Sequence, residues 1–394
     1  MKTVLLVTTV SGFVPQFEMN NVRLLQGMGY EVHYATNLKT PSYGTDNSRL
    51  EGTGIVCHQI DFERSPYTLK NLRVYRQLKL LMENNRFSLV HCHTPMGGAM
   101  ARLAAHMTHT KPVIYTAHGF HFYKGAPFKN WLLYFSMERF FSRWTDVQIC
   151  INQEDYQRAV KSFHAKKVVY LAGVGIPLAQ FENGFSSPKG EQREEQELQK
   201  QVQKEKKELA LPDNKTVLLS VGELIPRKNH ALLLRALAKT KNRDFVYLIC
   251  GHGELEEELK ALTQKLGLEK QVFFMGYQTD IAKFYRMADA FLFPSLQEGL
   301  PMAMMEAMAE GLPILASNIR GNRDLLAHDP AALLSPKRED EWTAALDRWM
   351  LHFDVLRKRQ NNRQHIEAYD SHFVTEKMAH IYKEVLGSII DTNT

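Results

Sequence analysis

Short apolar runs alternate with amphipathic segments from the first residues of the chain. Residues 2–8 form an apolar run that predicts a strand, and residues 18–28 show helical spacing that ends at Gly29. A second apolar run at residues 31–36 predicts the next strand. Because a strand, a helix, a glycine stop and a strand in this order form a βαβ unit, we expect a parallel sheet with helices on both faces.

The same alternation continues along the chain in two series. The strands that we predict are residues 87–93, 113–117, 147–151 and 167–170 in the first series and 216–222, 245–250, 272–275, 290–293 and 313–317 in the second. A glycine-containing hinge at residues 172–177 and a polar stretch at residues 184–209 lie between the series, and the stretch predicts a solvated linker or a loose charged helix. The predicted organisation is a first domain at 1–178, a linker at 179–212, a second domain at 213–370 and a final helix at 371–394 that packs back on the first domain.

Two carboxylates lie around the start of one predicted helix. The run at 290–293 ends at a proline, Glu298 follows in a polar loop, Pro301 begins the helix and Glu306 lies inside it. Eight residues along a helix span about 8 to 12 Å, whereas glycosidase carboxylate pairs lie about 5 to 9.5 Å apart. The spacing better fits one long ligand held at two points, with its negative charge at the helix N-terminus. From these residues alone, hydrolysis, a structural role and binding all stay open.

Two adjacent cations, Arg227 and Lys228, occupy the first turn of the second series, directly before a predicted helix. Beside Glu298 and Glu306 they would bind phosphate, although a solvated charge cluster is the simpler alternative. Two further turns follow neighbouring predicted strands. One contains Gly251 and Gly253, which permit close backbone approach, and the other contains Tyr277, which would lie against a base.

Histidines mark strand ends in the first series. His93 and His118 fall at the carboxyl ends of predicted strands, where ligands sit in open α/β sheets. A structural histidine is the alternative for His118. We expect His91 and His93 on opposite faces of their strand, and therefore no shared metal site. The first turn contains Gly12 but no GxGxxG pattern, which disfavours an NAD-dependent oxidoreductase.

The composition is that of a globular protein, with 394 residues, 44% hydrophobic and 23% charged. A net charge of +6 and a pI near 8.9 suit a phosphorylated ligand or an anionic membrane surface and do not indicate nucleic acid. Four cysteines lie far apart, which fits a reducing compartment. The first apolar run is too short for a membrane span and predicts a strand instead of a signal sequence. Residues 122–144 mix aromatic and basic side chains, which predicts either a core helix or a lipid-facing surface.

The chain resembles glycosyltransferase family 4 over essentially its whole length. The resemblance rests on the Glu-x7-Glu element at Glu298 and Glu306 and on VGELIPRKNH at 221–230. HCHTPMGGAMARLAA, YTAHGFHFYKGAPFKNW and RGNRDLL further resemble bacterial capsule and exopolysaccharide glycosyltransferases. The family implies the GT-B architecture, in which two Rossmann-like domains with parallel sheets face each other across a cleft.

The resemblance also implies roles for individual residues. Glu306 would bind the nucleotide ribose and Glu298 the hydroxyls of the donor sugar, with help from the N–H groups of Gly299 and Leu300. Arg227 and Lys228 would neutralise the diphosphate. The catalytic residues implied are Glu298, His118, Arg227 and Lys228, and the donor site implied is Gly12, Gly222, Arg227, Lys228, Gly251, Gly253, Tyr277, Glu298, Gly299, Leu300 and Glu306. His118 would contact the transferring sugar or the acceptor. Many family members have two or three glycines in the loop where this chain has only Gly12.

The implied activity is a retaining sugar transfer that needs no metal and no cofactor, consistent with the absence of an Asp-x-Asp motif. The expected donor is a UDP-hexose or UDP-N-acetylhexosamine, and the expected acceptor is a polyprenyl-diphosphate-linked saccharide. The expected location is the cytoplasmic face of the inner membrane, as a peripheral protein. A nucleotide-sugar 2-epimerase and a non-catalytic nucleotide-sugar-binding subunit are the alternatives.

Overall fold

The computed structural model describes residues 2–43, 46–63, 65, 67–181, 191–209, 211–212 and 214–387. The chain divides into two compact units. Unit 1 contains Met1–Gly175 and Ser371–Thr394, and unit 2 contains Ile176–Asp370. The division therefore falls within the glycine-containing stretch at 172–177. Part of the predicted linker, residues 182–190 and 210, lies outside the described residues, and the rest of it includes a helix of unit 2.

Unit 1 is built on a seven-stranded sheet in the order β3-β2-β1-β4-β5-β6-β7. The strands are β1 Lys2–Val7, β2 Tyr30–Thr36, β3 Val56–Gln59, β4 Phe87–His93, β5 Val113–Ala117, β6 Val147–Cys150 and β7 Lys167–Tyr170. Every neighbouring pair is parallel. The helices are α1 Met19–Gly27, α2 Lys70–Asn84, α3 Pro95–Met107, α4 Phe128–Asn130, α5 Ser136–Phe141 and α6 Gln153–Ser162. A π-helical turn, Val14–Glu18, precedes α1.

Alternate residues of β1 point into two separate cores, one on each face of the sheet. Leu5 and Val7 pack in the core that contains α2 and α3, whereas Val4 and Leu6 pack in the core that contains α1. Because successive strand residues point to opposite faces, a parallel strand covered on both sides is apolar throughout. This explains why β1 has a continuous apolar run instead of an alternating pattern.

Unit 2 repeats the design with six strands in the order β10-β9-β8-β11-β12-β13, again all parallel. The strands are β8 Thr216–Val221, β9 Phe245–Cys250, β10 Val272–Gly276, β11 Ala290–Phe293, β12 Ile314–Ser317 and β13 Leu333–Leu334. The helices are α7 Glu191–Glu208, α8 His230–Lys239, α9 Glu256–Lys265, α10 Ala282–Met287, α11 Met302–Ala309, α12 Asn322–Leu325, α13 Glu339–Trp349, α14 Phe353–Gln360 and α15 Asn362–Ile366. The two parallel-sheet, Rossmann-like domains confirm the predicted fold class.

The final helix, α16 Ser371–Gly387, belongs to unit 1 although it follows unit 2 in the sequence. Val374, Met378, Ile381 and Tyr382 pack in the same core as α1 and Val4. The helix therefore completes one face of the first sheet. No helix in the described part of the chain is long and apolar enough to cross a membrane.

Residues 122–144 pack against the core on one side and leave apolar side chains exposed on the other. Phe122 is fully buried, and Trp131, Tyr134 and Phe135 pack beside it. Exposed apolar side chains are Phe128, Leu132 and Phe140, at 80%, 67% and 49%. Core packing thus accounts for only part of this stretch.

Candidate active site

The candidate residues lie where the strand order of each sheet reverses. In the first sheet β1 lies beside β4, and in the second sheet β8 lies beside β11. The loops after these strands diverge to opposite sides of the sheet, which leaves a crevice at the carboxyl ends of the strands where α/β proteins bind ligands. The loop after β8 contains Arg227 and Lys228, and the loop after β11 contains Glu298.

Glu298 accepts hydrogen bonds from both predicted cations. Its Oε1 atom lies 2.8 Å from Arg227 Nη1 and 2.8 Å from Lys228 Nζ. The side chains of Glu298 and Lys228 are only 10% and 13% exposed, and that of Arg227 is 36% exposed. These three residues, predicted from the sequence to act together, are in direct contact.

The two cations determine the charge state of Glu298. Burial alone would raise the pKa of this carboxyl group, but the ammonium of Lys228 and the guanidinium of Arg227 outweigh burial and hold the pKa below its usual value. Glu298 is therefore ionised at neutral pH. It is a buried carboxylate between two cations, a group that accepts hydrogen bonds and does not donate a proton.

Backbone and side-chain hydrogen bonds join the two loops that contain these residues. The Leu296 N–H donates to Arg227 O at 2.8 Å, and Arg227 Nη1 donates to Gln297 O at 3.1 Å. Asn229, in the left-handed region at φ 58°, donates to Pro294 O at 3.1 Å. Asparagine tolerates this conformation better than most residues, so it fits the turn that directs the neighbouring cations toward Glu298.

A third cation, Arg320, supports the same loop from the other side. It is 3% exposed, and its Nε donates to the backbone oxygen of Glu298 at 3.0 Å. Next to it, Gly321 has φ 73°, and a Cβ there would lie 2.2 Å from Gly299 O. Only glycine allows this approach. The turn after the predicted strand at 313–317, which contains both residues, is a polar lining in sequence, and only the contact with backbone more than twenty residues away fixes their position.

The predicted glycines of unit 2 pack its loops together. A Cβ on Gly251 would lie 1.9 Å from Gly222 O, and a Cβ on Gly253 would lie 2.5 Å from Leu224 O. The Gly222 N–H donates to Cys250 O at 2.9 Å, which joins the loops after β8 and β9. Tyr277, in the loop after β10, is 63% exposed with its ring beside His252.

Glu306 lies in α11, as predicted, on the side of the helix that holds Tyr285. The Tyr285 hydroxyl lies 2.8 Å from Glu306 Oε2 and 3.0 Å from Ala303 O. Burial raises the pKa of Glu306, and the hydrogen bond from Tyr285 opposes this effect. Helix α11 begins after Pro301 and ends before Gly311, which has φ 69°. The spacing of Met302, Met305, Met308 and Ala309 predicts a core-facing stripe of α11, and the last three are buried, whereas Met302 is only half-buried.

A second cluster lies at the corresponding edge of unit 1. His118, after β5, places Nε2 3.1 Å from Nδ1 of His93, the last residue of β4. Oε1 of Glu18, from the loop after β1, lies 3.5 Å from that His93 nitrogen and 3.6 Å from the His118 nitrogen. Phe13 packs edge-on against the His118 ring at 4.9 Å. His118 was predicted at a strand end, whereas Glu18 was not predicted to be part of this cluster.

One expectation about this cluster is wrong. The rings of His91 and His93 lie 4.2 Å apart on the same face of β4, not on opposite faces. Side chains alternate with a period of two, so residues two apart share a face. His91 is bonded on both ring nitrogens, to the Tyr382 hydroxyl at 2.8 Å and to Thr116 Oγ1 at 2.8 Å.

Burial controls protonation in the cluster. It raises the pKa of Glu18 to about 8, which hydrogen bonding to Asn21 opposes, and it lowers the pKa of His118 to about 4. Burial also lowers the pKa of His93 well below its usual value, with His91 and His118 adding to the shift. The imidazoles of His93 and His118 are therefore neutral at pH 7.

Space and strain both occur next to His118. A cavity of about 150 Å³ is lined by His118, His121, Tyr134 and other residues of the loop after β5. Thr94, directly after His93, has φ 62°, a rare conformation for a β-branched residue.

Gly12 packs against the loop at Ser42, where a Cβ would lie 1.5 Å from Ser42 O. This close packing requires glycine at position 12 whether or not the residue contacts a ligand.

Family models match both halves of the chain. Residues 2–152 match the glycosyl transferase 4-like family, and residues 201–365 match the family described as glycosyl transferases group 1. The putative glycosyltransferase EpsD of Bacillus subtilis is 35% identical over 331 residues, covering 82% of this chain and 81% of that protein.

A second relative has a more specific description. The UDP-Gal:alpha-D-GlcNAc-diphosphoundecaprenol alpha-1,3-galactosyltransferase of Escherichia coli is 28% identical and covers 82% of this chain and 80% of its own length. Among solved structures, Anabaena HepE in complex with UDP-glucose superposes with a TM-score of 0.74 at 16% identity, covering 98% of this chain and 100% of HepE. Sequence and fold agree that the chain belongs to the group 1, GT4-like glycosyltransferases.

Proposed function

We propose that the chain transfers a hexose or N-acetylhexosamine from a UDP-sugar to a polyprenyl-diphosphate-linked saccharide in the synthesis of a cell-surface polysaccharide. We further propose that the transfer retains the anomeric configuration and needs no metal. The observation that carries the proposal is the contact of Arg227 and Lys228 with one oxygen of Glu298. Two cations and a carboxylate in this arrangement match a diphosphate that is joined to a sugar.

The cations take the charge of the leaving group. As the bond between the anomeric carbon and the diphosphate breaks, negative charge grows on the diphosphate, and Arg227 and Lys228 stabilise that charge. No hydrogen bond within the described chain uses the N–H groups of Gly299 and Leu300, which adds two donors near the start of α11. Positioned cations and N–H groups supply here the electrostatic stabilisation that a divalent ion provides in other transferases.

Glu298 orients the sugar and does not attack it. It is ionised and held by two cations, which lowers its nucleophilicity and leaves its second oxygen to accept hydrogen bonds from sugar hydroxyls. The acceptor hydroxyl then forms its bond on the face from which the diphosphate leaves, and its proton passes to a departing diphosphate oxygen. His118 supplies a contact to the transferring sugar or the acceptor. Replacement of Glu298 by Gln should abolish most turnover, and full turnover in that variant would contradict the orienting role.

Glu306 binds the ribose. Burial raises the pKa of Glu306 because it disfavours the ionised carboxylate, and a hydrogen-bond donor that reaches the carboxylate stabilises it. Ribose hydroxyls are such donors, and Tyr285 keeps the carboxylate in place by its hydrogen bond. The remaining donor contacts are proposed for Gly12, Gly222, Gly251, Gly253 and Tyr277.

Relatives support the choice of donor and acceptor. The description of the E. coli relative names UDP-Gal as donor and a diphosphoundecaprenol-linked acceptor, and HepE is known in complex with UDP-glucose. A lipid-linked acceptor requires an enzyme that works at a membrane surface, which we place at the cytoplasmic face of the inner membrane. Phe128, Leu132 and Phe140 are exposed in a stretch with four basic residues, a composition that favours an anionic bilayer.

The membrane contact is tested by sedimentation with vesicles. The protein should bind vesicles that contain anionic lipid more strongly than neutral vesicles, and the double variant Phe128→Ser, Leu132→Ser should lose most of that binding. Leu351→Ser is a matched control, because Leu351 is 68% exposed in unit 2. Equal binding of the double variant and the control would overturn this part of the proposal.

The donor is tested by a thermal-shift screen of UDP-, GDP- and ADP-sugars, followed by transfer to a synthetic polyprenyl-diphosphate saccharide. A selective UDP-sugar should raise the melting temperature because ligand binding stabilises the folded state by mass action, and it should support transfer. Turnover of the sugar nucleotide without acceptor would indicate a 2-epimerase, and binding without transfer would indicate a non-catalytic subunit.

A further inference from the structure

We propose that His93 is a positioning residue that holds His118 in the tautomer with its proton on Nδ1, so that His118 presents an N–H donor to the substrate. Glu18 Oε1 lies 3.5 and 3.6 Å from the two ring nitrogens that face each other and helps to hold the rings together. The tautomer is a property of unit 1 by itself, whereas its importance for turnover rests on the proposed contact of His118 with substrate.

The number of protons on the two rings limits how they can bond. Both imidazoles are neutral at pH 7, so each has one N–H group. His93 Nδ1 and His118 Nε2 lie 3.1 Å apart, a hydrogen-bond distance that needs one proton between them. That proton belongs either to His93 or to His118, and its position determines the tautomer of both rings.

The other nitrogen of His93 decides between the two arrangements. His93 Nε2 is buried and has no hydrogen-bond partner within the described part of the chain. If His118 donated to His93, the proton of His93 would sit on Nε2 as a buried donor without an acceptor, which proteins avoid. If His93 donates from Nδ1, Nε2 has only an unpaired lone pair, and a buried acceptor without a donor costs less than a buried donor without an acceptor. His118 Nε2 then accepts, and the proton of His118 must be on Nδ1.

His118 Nδ1 is the nitrogen available to a ligand. The side chain is 20% exposed, unlike the fully buried side chain of His93, and none of the hydrogen bonds of the described residues uses this nitrogen. The surroundings supply no competing charge, because the Glu18 carboxyl has a pKa raised to about 8 by burial and its Oε2 accepts from Asn21. A neutral N–H donor next to a cavity is suited to a sugar or acceptor oxygen.

A metal ion does not fit the same three residues as well. The donor atoms of Glu18, His93 and His118 all lie within 4.8 Å of one another, which is compact enough for one ion. A metal on His93 Nδ1 would, however, force the proton of that ring onto Nε2. Ligating histidines normally donate this second N–H to an acceptor, and none is present for His93 in the described chain.

The first test is a side-chain ¹H–¹⁵N correlation spectrum of histidine-labelled protein without substrate, in which the His118 signals are assigned from the His118→Gln variant. The spectrum should show the proton of His118 on Nδ1. A proton on Nε2 would overturn the proposal, even if the enzyme transfers sugar as proposed. Stoichiometric zinc in the purified protein, with loss of activity on chelation, would equally overturn it.

The second test is kinetic. His93→Leu removes the donor and should lower kcat about tenfold or more with little change in the donor KM, whereas His93→Asn keeps an N–H near the Nδ1 position and should restore most of kcat. His58→Leu is the control, because it breaks another histidine pair, to His33 at 2.8 Å, on β3. Equal kcat for His93→Leu and wild type would refute the positioning role. If His93→Leu does not fold, the spectrum of the wild-type protein still shows which nitrogen of His118 has the proton.

Discussion

Replacement of Lys228 by Met tests the proposed phosphate site with the least change in shape. Methionine keeps much of the length of the aliphatic side chain, which lies close to Gly222, and removes only the ammonium that is 2.8 Å from Glu298 Oε1. Lys228 and Glu298 are mostly buried, so solvent screens their interaction little. Loss of one charge-assisted hydrogen bond should lower the free energy of unfolding by about 1.5–3 kcal/mol.

The effect on catalysis should be larger than the effect on stability. Without the ammonium, the leaving diphosphate loses one of two cations, which corresponds to about 2–4 kcal/mol of transition-state stabilisation, or roughly 30- to 1000-fold in kcat/KM. The assay is initial-rate transfer at saturating acceptor with varied UDP-sugar. Isothermal titration with UDP alone should show weaker binding, because UDP contains the same diphosphate.

A control variant separates a general effect of charge from the specific one. Lys239→Met makes the same substitution at the end of α8, where the side chain is 68% exposed and pairs with Glu339. It should keep kcat/KM within about twofold of wild type. A loss below tenfold in Lys228→Met, or an equal loss in both variants, would refute the phosphate role.

Three further predictions concern single residues. Burial raises the pKa of Glu18 from 4.5 to about 8, so its contribution to stability is fully present below pH 4.5 and is lost as pH rises through 8. Between these values the free energy of unfolding should fall by about 1.4 kcal/mol per pH unit, and Glu18→Gln should remove this dependence. Urea unfolding at pH 6.5 and 8 checks it, and the same change with pH in wild type and variant would contradict it. Glu138→Gln should cost about 3–5 kcal/mol of stability, because Arg102 is fully buried and bonded to Glu138 at 2.7 Å, and an unchanged melting temperature would contradict this. Asn229→Ala should lower kcat/KM for the donor about tenfold through loss of its hydrogen bonds to Pro294 O and Pro336 O, with unchanged kinetics as the contrary result.

Local pattern was sufficient to predict most of the strands that build both sheets. Residues 87–93, 113–117 and 245–250 form strands with the predicted bounds, because buried parallel strands have continuous apolar runs. Strand β3 was not predicted, since it lies at an edge and none of its four residues is buried, and β13 was not predicted because it is only two residues long.

The candidate site was predictable only where its residues are neighbours in sequence. Arg227 and Lys228 are adjacent, and Glu298 precedes a helix, so motif and chemistry both pointed to them. Arg320 and Glu18 join their clusters through contacts between loops of different strands, which no local pattern encodes. The error over His91 and His93 came from misapplying strand periodicity, and the structure corrects it.

The product of a single reaction shows whether the chain performs a retaining, metal-independent sugar transfer. The chain is incubated with a UDP-α-sugar, a synthetic polyprenyl-diphosphate saccharide and excess EDTA, and the new linkage is examined by NMR. A retaining, metal-independent transfer predicts that the sugar is transferred with an α-linkage in the presence of the chelator. A β-linkage, or transfer that stops with EDTA and resumes with a divalent metal, would contradict it.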